Sequence, residues 1–100
     1  MTEEEWLDTI KNKEPQYEMF SKAGNKRCHT LTLKVCKKIF SDKRMAKAHI
    51  IMMLRDGIDK IQESYPEVQD SEPPGHIAFY VNRALEKAGY NFEVERYDFS

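Results

Sequence analysis

Read from the N-terminus, the apolar positions first gather on one helical edge. Trp6, Leu7 and Ile10 recur at helical spacing, while Glu3, Glu4 and Asp8 fall where a helix dipole favours negative charge. Thr2 followed by Glu5 forms a capping box, and Met1 is placed to staple onto Trp6. Pro15 ends the element, because the residue before a proline is driven out of the helical region. So short an apolar edge holds no helix alone; it must dock on the rest of the chain or on a partner.

The next segment supports two readings. Thr30-Leu31-Thr32-Leu33-Lys34-Val35 alternates with period two and is rich in β-branched residues, which favours a strand. Cys28, Leu31, Val35, Cys36 and Ile39 also fall on one helical stripe that only Leu33 interrupts. The turn residues Ala23-Gly24-Asn25 favour the strand, paired as a β-hairpin with residues 17–20. From Ser41, a favoured N-cap, Ile51, Leu54, Ile58, Ile61 and Tyr65 carry a helical stripe as far as Pro66. Gly57 costs this helix about 1 kcal/mol relative to Ala, yet the apolar phase runs through it, so one helix is expected and not two.

Beyond the acidic residues 67–72, Pro73 and Pro74 suit the first turn of another helix. Ile77, Val81, Ala84, Leu85 and Ala88 form its inner face and Gly89 its stop. Residues 91–99 read as a closing strand, with Phe92 and Val94 on one face and Tyr97 and Phe99 on the other. The expected fold is α+β: a small two-layer domain of an N-terminal helix, a β-hairpin, two helices and a closing antiparallel strand, spanning residues 1–100 as a single domain. The alternative is an all-α domain with residues 28–40 helical.

Composition bounds this picture. One hundred residues, 40% of them hydrophobic, bury one modest core with little room for an enclosed cavity. A charged fraction of 33% with four Gly and four Pro suits a folded chain. Two cysteines make no disulfide framework, no apolar leader precedes the acidic start, and the longest apolar run, residues 50–54, is too short to span a bilayer. A cytoplasmic protein with reduced thiols and no membrane contact is expected.

Charge changes the picture more. Nine of the sixteen Lys and Arg residues lie between Lys22 and Lys47 with Asp42 as the only acid, a net +8; the arm before carries −4 and the tail after −5, which sums to −1. Such segregation either builds a surface for an anionic partner or is neutralised by the acidic flanks, with Glu93, Glu95 and Asp98 of the closing strand as the expected counter-charges. Lys43, Arg44 and Lys47 are placed in the first turns of the long helix, where they oppose its dipole.

Candidate chemistry is sparse. Cys28, His29, Cys36, His49 and His76 lack the short paired spacings of a structural zinc site, so neither metal nor cofactor is expected. Neighbouring lysines could lower the thiol pKa of Cys28 or Cys36, but no spacing brings His49 or His76 to either as a base. There is no Gly-rich phosphate loop, G-x-S-x-G elbow or H-E-x-x-H, and the chain reads as non-enzymatic.

Binding remains. His76, Phe79 and Arg83 share the helix face opposite Ile77 and Val81, and an exposed aromatic beside Arg is typical of an interface anchor. Met45 and Met52 lie on a second side of the long helix, suited to an adaptable contact. These five residues define the expected partner surface of an accessory or regulatory domain. It would bind an acidic protein partner and form a homodimer. The alternative is RNA or DNA binding through Lys26, Arg27, Lys34, Lys37, Lys38, Lys43, Arg44 and Lys47, ranked second because the pI is only 6.3.

Overall fold

The hydroxyl of Thr2 accepts the Glu5 amide at 3.1 Å and opens α1 (Glu3–Asn12) in the computed structural model, which describes residues 2–12, 22–66 and 73–99. Met1, with its expected staple, lies outside those residues. The apolar edge of α1 docks as its pattern requires: Ile10 is buried, Trp6 and Leu7 are half-buried, and the Trp6 ring meets Phe40 edge-on at 5.8 Å.

Residues 22–41 form a second helix, α2 (Lys22–Ser41), and no strand occurs among the described residues. The expected hairpin is therefore corrected: its second strand and its turn both lie within α2, and residues 17–20 fall outside the described residues. Burial explains the outcome. A strand would split Cys28 and Cys36 from Leu31, Val35 and Ile39, whereas the helix buries all five, with Leu33 half-buried at the edge of the stripe. The β-branched residues that suggested a strand fit the helix through their hydroxyls: Thr30 donates to the Lys26 carbonyl and Thr32 to the Cys28 carbonyl, both at 2.9 Å.

Ser41 ends α2 instead of capping the next helix, and its hydroxyl donates to the Lys38 carbonyl at 3.1 Å. Asp42 forms the turn, its carboxylate accepting the Arg44 amide at 3.2 Å. The long helix, α3 (Lys47–Ser64), starts five residues later than expected, with Ala46 as an N-cap that makes no side-chain bond. It runs unbroken through Gly57 to Tyr65, burying Ile50, Leu54, Ile58 and Ile61. A Cβ at Gly57 would stand 2.3 Å from Leu31 Cδ1, so the missing side chain leaves room for Leu31 of α2 to pack directly on α3.

The next helix, α4 (Pro73–Ala88), has the boundaries and inner face expected of it, with Ile77, Val81, Ala84 and Leu85 fully buried. Gly89 adopts φ +86°, the Tyr90 amide bonds the Leu85 carbonyl at 2.9 Å and the Gly89 amide bonds that of Glu86 at 3.1 Å, which completes a Schellman stop. Tyr90 then ties this end to the α2–α3 turn: its hydroxyl accepts the Met45 amide at 3.3 Å and donates to the Asp42 carbonyl.

The closing strand is also corrected. Residues 90–95 follow α4 as irregular chain and end in a short helix, α5 (Arg96–Phe99). In place of a neighbouring strand, the Asn82 side chain satisfies the buried Val94: Nδ2 donates to the Val94 carbonyl and Oδ1 accepts the Val94 amide, each at 2.8 Å. Val94 and Phe99 enter the core, while Tyr97 is 72% exposed. The chain is an all-α domain among its described residues, with α2 and α4 making its most extensive helix pairing.

His29 is the polar exception in this core. The ring is buried and neither nitrogen has a hydrogen-bond partner among the described residues, an arrangement that costs about 1–3 kcal/mol. His29→Leu is expected to raise the unfolding free energy in urea by about 1 kcal/mol, and a lowered midpoint would show that ring shape outweighs desolvation.

Candidate functional site

Five exposed bases follow one sector of α2. Lys26, Arg27, Lys34, Lys37 and Lys38 all fall on the side opposite Cys28, Val35 and Ile39, with Thr30 and Ser41 between them. At 1.5 Å per residue the stripe runs about 20 Å along the surface. The strand reading separated Lys37 from Lys34 and Lys38; the helix brings all three together. They share an open groove of about 570 Å³ with Ser41 of α2 and with His49 and Met53 of α3.

The expected neutralisation by Glu93, Glu95 and Asp98 does not occur among the described residues. Asp98 instead accepts the Glu95 amide at 2.8 Å, closing the turn into α5. Lys43 pairs with Glu3 of α1 at 2.9 Å. Lys43 and Arg44 lie in the α2–α3 turn, past the negative end of the α2 dipole, so the unfavourable placement expected of them is corrected; only Lys47 begins α3. No acid within 4 Å pairs with Lys34, Lys37 or Lys38 among the described residues.

A second region gathers on α4 and α5. Phe79 is 54% exposed, and the Arg83 guanidinium lies 5.3 Å from its ring centroid. The ring meets Tyr80 edge-on at 5.5 Å, and both border an open groove of about 530 Å³ with Gly75, His76 and Arg96. Beside it Arg96 lies 5.0 Å from the Tyr97 ring. Two aromatic–arginine pairs thus stand around one concave surface. His76, Phe79 and Arg83 were legible from helical spacing. Arg96 and Tyr97 were not, because the strand reading aimed them differently.

The methionines separate. Met52 is 63% exposed on the outer ridge of α3, whereas Met45 is buried and joins the core beneath the Tyr90 hydrogen bonds. The sequence reading also passed over an acidic run. Asp56, Asp59 and Glu63 follow Met52 at helical spacing and are all exposed.

Neither thiol is poised as a nucleophile. Cys28 and Cys36 are fully buried, and burial pushes their pKa values up to about 11 and about 12, so both stay neutral at physiological pH. Cys36 is directed at the Tyr80 carbonyl, 3.9 Å away. No group of three metal-ligating side chains converges among the described residues, and no described helix is long and apolar enough to cross a membrane. Compared with protein-family models, with curated proteins and with solved structures, the chain matches none.

Proposed function

We propose that the protein is a binding domain that works by protein–protein interaction, with the aromatic–arginine surface of α4 and α5 as its principal contact. The observation that carries this reading is Phe79. Its ring is more than half exposed, is held beneath Arg83 and borders a groove lined by Tyr80 and Arg96. Arginine and aromatic side chains dominate binding energy at interfaces because they bury a large area with few rotatable bonds. The groove is open and mostly apolar, with guanidinium groups at its edge, and fits a partner that brings an apolar side chain next to a carboxylate.

A protein partner is preferred to nucleic acid for an electrostatic reason. The helix that packs against the basic α2, α3, exposes Asp56, Asp59 and Glu63, and carboxylates on a neighbouring helix weaken the local positive potential that would attract a phosphate backbone. The test compares proteins retained from the native cell extract by the wild type and by Phe79→Ala and Arg83→Ala. A partner held by the wild type is expected to drop at least about tenfold in affinity with Phe79→Ala, the cost of an interface anchor. Circular dichroism should be unchanged, since the ring lies outside the core. Equal retention by all three proteins would sink the reading.

A further inference from the structure

The three lysines that close the basic stripe of α2 stand at i, i+3 and i+4. Lys34, Lys37 and Lys38 are therefore neighbours on one exposed sector of the helix, where their like charges repel. No acid within 4 Å pairs with any of them among the described residues. Asp42, the one acid between Lys22 and Lys47, accepts the Arg44 amide at 3.2 Å, and Glu3 takes Lys43 at 2.9 Å.

The same three lysines edge the open groove of about 570 Å³ between α2 and α3, which Ser41, His49 and Met53 complete with no acid in the lining. Its surface is mostly apolar in spite of the three charges. Met53 is half-buried against the core, and lysine stems cover apolar surface while their ammonium groups reach water. Ligand clefts have volumes of about 300–1,000 Å³, so this one has room for a few side chains. From Lys34 to Ser41 it follows α2 for about 10 Å, two turns of helix.

A groove of this kind selects two properties in one ligand. The apolar lining suits an apolar side chain, and the ammonium groups suit carboxylates on either side of it. A phosphate backbone would use only the charge and leave Met53 uncovered. We propose that the α2–α3 groove is a docking site for an acidic segment of a partner protein. One apolar side chain of that segment is seated against Met53, and its flanking Asp or Glu side chains meet Lys34, Lys37 and Lys38. The groove shares no lining residue with the one beside Phe79, so this site stands independently of the function proposed above.

The test pans a random-sequence peptide library, displayed on phage, against the full chain. Enriched clones are screened again on Lys34→Glu/Lys37→Glu/Lys38→Glu. Clones held by the wild type and lost on the variant are expected to carry an apolar residue between acids. A synthetic peptide made from them should bind at least about tenfold more weakly to the variant, and more weakly to the wild type as salt rises. Serine in place of its apolar residue should also cost about tenfold, and Phe79→Ala should change nothing. Exchanging the acids of the peptide for lysines should restore binding to the triple variant, a gain that misfolding cannot produce. The proposal is overturned if no clone distinguishes the two proteins, if the apolar residue is dispensable, or if the exchanged peptide fails to bind the variant. Tighter, variant-sensitive binding of a mixed-sequence DNA oligonucleotide or of phosphatidylserine vesicles also overturns it, and would assign the lysines to nucleic acid or to a membrane surface.

Discussion

Asn82→Ala is expected to lower the unfolding free energy by about 2–4 kcal/mol, because it leaves two backbone groups of a buried residue without partners, at about 1–3 kcal/mol each. Asn82 makes both bonds at 2.8 Å to Val94, which is 1% exposed and has no strand neighbour to replace them. Urea unfolding measures the loss, and hydrogen exchange at the Val94 amide locates it. Asn82→Asp separates the two bonds. The carboxylate still accepts the Val94 amide but points its other oxygen at the Val94 carbonyl, so at neutral pH this variant should be at least as unstable as Asn82→Ala. The repulsion raises the carboxyl pKa in the folded state above its ordinary value. Protonation therefore favours the fold, and stability relative to Asn82→Ala should recover as pH falls through the carboxyl range. Equal stability of all three proteins would show that Val94 finds other partners.

Gly57→Ala sets two effects of opposite sign against each other. Removing glycine from a helix interior favours folding by about 1 kcal/mol. The added methyl, however, would lie 2.3 and 2.8 Å from the two terminal carbons of Leu31 and 3.1 Å from Cγ, so the whole buried isobutyl group must move. Overpacking of that kind costs about 1–3 kcal/mol, and the net result should be a loss of about 1 kcal/mol. Leu31→Ala alone should cost about 2–5 kcal/mol through lost burial and the cavity it leaves. In that background the clash is gone, and Gly57→Ala should become stabilising. This reversal of sign in a double-mutant cycle is the decisive reading. The same direction of change in both backgrounds would mean that α2 and α3 do not meet at this point.

Much of the fold was legible wherever a local signal and the burial pattern agreed. Thr2, the Trp6–Ile10 edge, Leu54, Ile58 and Ile61 of the long helix, and Pro73 with Gly89 each combine a terminus signal with helical periodicity, and these features hold in the structure, with Ile50 and not Ile51 opening the buried stripe. Residues 28–40 were ambiguous because threonine and leucine alternate there over a segment short enough to satisfy both periods. The ambiguity ended only when the side chains had to be buried. Facing α4 and α3, a helix hides Cys28, Leu31, Thr32, Val35, Cys36 and Ile39 together. The Ser41 N-cap failed for a related reason: serine also suits the last turn of a helix, and Asp42 supplies the real turn.

The candidate surfaces divide in the same way. By itself the sequence determined which residues carry the charge, that His76, Phe79 and Arg83 share a helix face, and that the long helix continues through Gly57. Each of these depends on neighbours within a few turns of chain. Only the tertiary structure decided that Met45 is core and Met52 surface, that Arg96 and Tyr97 stand beside Phe79, and that Val94 is held by Asn82 and not by a strand. It also placed Lys34, Lys37 and Lys38 of α2 around one groove with His49 and Met53 of α3. Those outcomes turn on which buried groups find partners across the core, and backbone hydrogen bonds are satisfied by whatever donor or acceptor the packing supplies.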